Sequence, residues 1–227
     1  IGVTGVQTCA LPISSAPLTI RYPCAGWAEY QFSEIWNAVK IAIKDVVSTN
    51  PKAASGLRAI AVDATSSLFL DLHPARNSAP DGDVICWMDH RAESVIEDIH
   101  QTKHPYLDIV GGSMSPEHYL PKLLWLKRNA PDKYRRLKTI RDLSDAISYQ
   151  LTGVDRHSIC GLACKLPYLP GDTSPWQTDL LDVLDMSDLL DLGNLRETPG
   201  QVGRPCAVVT ADIASELGIP DDAVVAF

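Results

Sequence analysis

The chain has 227 residues, 45% of them hydrophobic, which is enough for one large domain or two small ones with a substantial core. Its 20 basic and 28 acidic side chains leave a net charge of −8, which argues against a nucleic-acid partner, since such a partner needs a basic face. No apolar run approaches the ~20 residues of a membrane span, and six scattered cysteines without a secretory leader fit a reducing cytoplasm.

Residues 1–13 (IGVTGVQTCALPI) carry no charge and no clear periodicity. From Val3 onward they match the translation of a common sequencing-adapter oligonucleotide, so 1–13 is expected to be non-native and is set aside from the fold. Pro23–Tyr30 reads as a loop. Ser33 is a fair helix cap, and Ile35, Trp36, Val39, Ala42, Ile43, Val46 and Val47 trace an apolar helical stripe that Asn50-Pro51 ends. Leu57–Val62, closed by Asp63, fits a buried parallel strand. Leu68–Leu72 is expected as its hairpin partner, and Pro74–Gly82 as a turn-rich loop. Val84–Met88 makes another strand, followed by a helix over Ala92–His100. Ser115-Pro116 begins the next helix, with Pro121 either kinking it or marking its true start. Lys138–Gln150 is predicted to be helical and stopped by Gly153, and its basic run from Lys133 reads as a solvated helix face. Asp179–Leu192 is predicted as a helix, Gly200–Pro205 as a break, Ala211–Leu217 as a short helix and Ala223–Phe227 as a buried strand. Helices alternating with short apolar runs predict an α/β fold.

Chemistry concentrates where strands hand over to helices. After Val84-Ile85, the run Trp87-Met88-Asp89-His90-Arg91-Ala92 brings an acid, an imidazole and a guanidinium together at the end of a strand, where open α/β sheets bind ligands. Asp89 accepts and Arg91 donates, so the pair suits a hydroxyl-rich ligand; an internal salt bridge holding the loop suits the same residues equally. His90 has no partner base or nucleophile and reads as structural. Thr65, Ser66 and Ser67, small hydroxyl residues after an apolar strand, let a sugar approach the backbone closely, or else form an ordinary turn. Lys165 lies in an apolar setting and needs a partner or a ligand, unless it snorkels to solvent. Lys122 is a weaker candidate, and Gly111-Gly112 serve a turn. Asp142 and Asp145, one helical turn apart, are expected to solvate their helix or pair with Arg141. Cys160 and Cys164 lack the four ligands of a zinc site and read as ordinary buried thiols.

The Trp87–Ala92 element resembles the W-x-D-H-R-A element of the FGGY carbohydrate kinases. The likeness continues, in order and spacing, through Thr102-Lys103-His104, Gly111-Gly112, Met114-Ser115-Pro116-Glu117, Pro121–Lys127, Leu151-Thr152-Gly153 and Cys164-Lys165. It covers roughly residues 18–227 and is similar to the D-ribulokinase branch, although Ser66 and Phe69 stand where that branch's T-C-S-L-V element has Cys and Val.

The resemblance implies a ribonuclease-H-like, actin-type sugar kinase amino-terminal domain over 14–203. It further implies a segment, 204–227, leading toward a catalytic aspartate and a carboxy-terminal ATP domain beyond Phe227, with truncation at both ends. Leu18–Tyr22 would be the family's third strand, its D-x-G-T-like phosphate turn lying before it. The implied activity is transfer of the ATP γ-phosphoryl, with Mg²⁺, to the terminal hydroxyl of a ketopentose, D-ribulose above others. The alternatives are another kinase of the family (L-ribulokinase, xylulokinase or glycerol kinase) or a non-catalytic sugar-binding lobe. Substrate-binding residues implied here are Thr65, Ser66, Asp89, Arg91 and Lys165; no catalytic, nucleotide-binding or metal-binding residue is expected within the chain, and the chain alone is expected to be inactive.

Overall fold

The computed structural model describes residues 13–72 and 83–227. The adapter-like segment up to Pro12 and the predicted loop over Pro74–Gly82 lie outside these residues. In chain order the elements are β1 (Glu29–Gln31), α1 (Phe32–Thr49), α2 (Pro51–Ala54), β2 (Ala59–Ala61), β3 (Leu68–Asp71), β4 (Asp83–Ile85), α3 (Glu93–Gln101), α4 (Tyr106–Ile109), α5 (Tyr119–Asn129), α6 (Pro131–Arg136), β5 (Thr139–Asp142), α7 (Leu143–Thr152), α8 (Ile159–Lys165), α9 (Thr178–Val183), a 3-10 turn (Ser187–Asp191), β6 (Pro205–Val208), α10 (Ala211–Leu217) and β7 (Val224–Ala226).

The strands form two sheets. One has the order β1-β4-β3-β5 with every pairing antiparallel; the other, β2-β7-β6, pairs β2 parallel to β7 and β6 antiparallel to it. The four-stranded sheet is covered on both faces, and the alternation of β3 explains how. Leu68 and Leu70 pack with α3, α5 and the leucines of α9, whereas Phe69 between them packs on Phe32, Ile35 and Trp36 of α1 and on Leu143 and Ile147 of α7. Phe32 and Phe69 meet at 4.4 Å between ring centroids. Among the described residues no helix is long and apolar enough to cross a membrane.

Several elements depart from their predicted form. Leu68–Asp71 does form a strand, but it pairs with β4 and β5 and not with Ala59–Ala61. The apolar period of both runs is the same, so only three-dimensional pairing separates them. Lys138–Gln150 is not one helix: Thr139–Asp142 is a buried strand, and the helix begins at Leu143. Arg141 is therefore no part of a solvated helix face; it is buried and bonds Asp71 at 2.7 Å and Asp155 at 2.8 Å, not Asp142 or Asp145. The helix expected from Ser115-Pro116 starts at Tyr119, so Pro121 sits in its first turn, where no backbone donor is lost. Asp179–Leu192 splits into α9 and the 3-10 turn at Asp185, whose φ of 55° breaks the helix. α1 begins one residue before Ser33 and has no side-chain cap. Leu18–Tyr22 contributes a single bridge, Arg21 to Glu29. Cys160 and Cys164 are exposed, not buried; Cys86 is buried.

Candidate active site

Register brings the chemistry together. Leu68 stands opposite both Ile85 and Asp142. The turn entering β3 (62–67), the loop leaving β4 (86–92) and the junction of β5 with α7 therefore open at the same end of the sheet.

Asp142 is the hub of that end. It closes β5 and caps α7, its Oδ1 accepting from the Ser144 N–H at 2.9 Å and the Ser144 hydroxyl at 2.7 Å. Its Oδ2 accepts from the Ser66 hydroxyl at 3.1 Å and from the Tyr119 hydroxyl at 2.6 Å. Burial, and next the Asp142 charge, push the Tyr119 hydroxyl well above its ordinary value, so it stays a donor. The Asp-x-Ser cap signal before the apolar run Leu143, Ala146, Ile147, Leu151 was available in the sequence; the reach to Ser66 and Tyr119 was not.

The 86–92 loop is held from inside. Asp89 is 0% exposed and accepts from the Ala28 N–H at 2.6 Å, the Arg91 N–H at 3.0 Å, and Arg91 Nε and Nη2 at 2.8 Å each. Arg91 donates a further bond to Glu29 at 2.6 Å and stacks on Trp27, 4.0 Å from its ring centre. Asp89 and Arg91 thus form the internal pair, and what their loop presents outward is Trp87, 39% exposed, and His90. Buried Lys122 fastens the same loop, donating to the Cys86 carbonyl at 2.7 Å and the Trp87 carbonyl at 3.2 Å. Burial lowers its ammonium to about 8; Asp89 opposes that shift and Lys165 adds to it.

Lys165, the last residue of α8, is half-buried. Its charge is felt by Lys122 and by His118, whose imidazole is lowered first by burial and then, against the Ser115 carbonyl, by Lys165. Thr65 is exposed, and His90 lies at the surface against Glu93 at 2.8 Å. Ser66 lines a cleft of about 320 Å³ with Asp142, Asp145, Ser158, Cys160 and Phe227. Burial raises Asp145 to about 7, even though the Ser158 N–H donates to it at 3.0 Å. Hydroxyls and carboxyls around this cleft supply donors and acceptors for a polyhydroxylated ligand; of the residues predicted to bind substrate, Ser66 lines it, whereas Thr65, Asp89, Arg91 and Lys165 are not among its lining residues. Among the described residues no group of three His, Cys, Asp or Glu side chains could hold a metal ion.

This α/β arrangement is that of the actin-like ATPase fold of the sugar kinases, as the comparisons with known proteins show. The model of the FGGY family of carbohydrate kinases, N-terminal domain, matches residues 4–226. An FGGY carbohydrate kinase domain-containing protein from Danio rerio is 34% identical over 220 residues, covering 92% of this chain and 39% of that protein. A D-ribulokinase from Saccharomyces cerevisiae is 28% identical, covering 95% of this chain and 33% of its own length. The crystal structure of a xylulose kinase from Rhodospirillum rubrum superposes with a TM-score of 0.75 at 16% identity, over 98% of this chain and 45% of that one. The chain belongs to the FGGY family of carbohydrate kinases and corresponds to its N-terminal domain. It spans well under half the length of these curated relatives.

Proposed function

We propose that this chain is the sugar-binding lobe of an ATP-dependent kinase that phosphorylates a ketopentose, D-ribulose above others, at its terminal hydroxyl, in the cytoplasm. The observation that carries the reading is the register that opens the Ser66 turn, the Trp87 loop and the Asp142 junction at one sheet end, beside a cleft lined by Ser66, Asp142 and Asp145. The likeness to a D-ribulokinase supports the choice of sugar. In this reading Thr65, Ser66 and Lys165 contact the sugar, and Asp89 and Arg91 position the loop that carries Trp87. ATP and its metal are assigned, as the family resemblance implies, to the further length that the relatives possess. Catalysis of phosphoryl transfer is mainly positioning and charge stabilisation; this lobe's share is to hold the sugar and exclude water from it.

The test is a substrate panel on a protein extended to the full length of the relatives, with D-ribulose, L-ribulose, xylulose and glycerol as acceptors. D-ribulose is expected to give the highest kcat/KM, and equal rates with glycerol would overturn the assignment. In that protein Lys165→Ala is expected to lower kcat/KM by roughly tenfold to a hundredfold, the worth of a hydrogen bond from a charged donor. The chain alone is expected to bind D-ribulose weakly and to transfer no phosphoryl group.

A further inference from the structure

Cys160 and Cys164 remain unused by that reading. They lie four residues apart on α8, both are exposed, and Cys160 forms part of the cleft wall beside Asp142 and Asp145. The remaining cysteines, at positions 9, 24, 86 and 206, are far from them and from one another in sequence. Residues four apart on a helix keep their Cβ atoms about 5–6 Å apart. A disulfide needs about 3.5–4.5 Å between the same atoms, so oxidation of this pair would require α8 to unwind. A single soft atom is a better bridge: two metal–sulfur bonds of about 2.3 Å each span two thiolates without moving the backbone. Burial pushes the Cys160 thiol up, and Cys164 pushes it further because two neighbouring thiolates repel. An electron-poor centre bound to both sulfurs removes that repulsion.

We propose that α8 carries a dithiol clamp, Cys160 with Cys164, for a thiophilic centre of the trivalent organoarsenical class. With hydrated phenylarsine oxide, two S–H bonds and two As–OH bonds break, two As–S bonds form and two waters leave. Arsenic stays trivalent, so neither an oxidant nor a reductant is needed. Because Cys160 stands on the cleft wall, the clamped centre sits beside that cleft.

The experiment titrates the chain with phenylarsine oxide and follows free thiols with a chromogenic thiol reagent and adducts by mass spectrometry. One equivalent is expected to remove two thiols, to map to the peptide holding Cys160 and Cys164, and to protect both from iodoacetamide. A soluble vicinal dithiol reverses the adduct and a monothiol does not. Cys160→Ser and Cys164→Ser are each expected to weaken binding about 100-fold or more, as loss of a chelate's effective concentration dictates; Cys24→Ser and Cys206→Ser are expected to leave it unchanged. Adducts mapping to other cysteines, or affinity unchanged in both Cys160→Ser and Cys164→Ser, would overturn the proposal. The iodoacetamide protection pattern is read on the unmutated chain and so does not depend on how the variants fold.

Discussion

Asp89 shows how much one side chain can carry away from solvent. Its carboxylate gathers the backbone N–H of Ala28, just before β1, and three donors of Arg91 while 0% exposed. Removing one partner of such a pair leaves a buried charge uncompensated. Asp89→Ala is therefore expected to lower stability by about 3–5 kcal/mol, read as the shift of a urea unfolding midpoint at constant m-value. Asp145 offers a second residue-scale test. Its carboxyl rises from 3.8 to about 7 mainly through burial, so between those values the folded state holds a proton that the unfolded state has released. By linkage, its contribution to stability is full below pH 3.8 and is lost as pH rises toward 7. Asp145→Asn is expected to remove that part of the slope, and a carbon-13 NMR titration of the Asp145 carboxyl is expected to centre near 7. The acid-guanidinium motif at Asp89 and Arg91 was legible as a motif. Its inward orientation was not, because a sequence window does not reveal that Ala28 and Glu29, about sixty positions earlier, lie against it.

At the scale of elements, β5 and α7 are the instructive pair. Thr139, Ile140, Arg141 and Asp142 have no strong strand signature, and the run through Gln150 reads as helical. β3 overrides that local preference by offering an open edge, and all four residues become buried. The strand then has to stop where Leu68 and Asp142 stand opposite each other, and Asp142 turns from strand end to helix cap. An ordinary N-cap is worth about 1 kcal/mol. Asp142→Ala is expected to cost about 3 kcal/mol, because it also strands the buried Tyr119 hydroxyl and frees the Ser66 turn. A double-mutant cycle with Tyr119→Phe is the check: the two losses are expected to be non-additive, and simple additivity would show that the hydroxyl bond contributes nothing.

For the whole molecule, the central sheet separates two apolar cores, and β3 supplies both. Phe69→Ala is expected to cost about 3–5 kcal/mol, seen by calorimetry or denaturant unfolding, since the cavity would open against Phe32 and the α1–α7 layer. The mixed α/β character, the place of most helices, the Trp87–Ala92 handover and the family resemblance were legible in the order of residues alone. Those features rest on spacing within a short window, where apolar period and turn chemistry act directly. Three-dimensional packing set which strands β3 pairs with, that Asp142 and not Asp89 faces the cleft, and that Cys160 and Cys164 are exposed. Pairing register and burial are set by contacts between residues tens of positions apart, and the same local pattern is compatible with several of them.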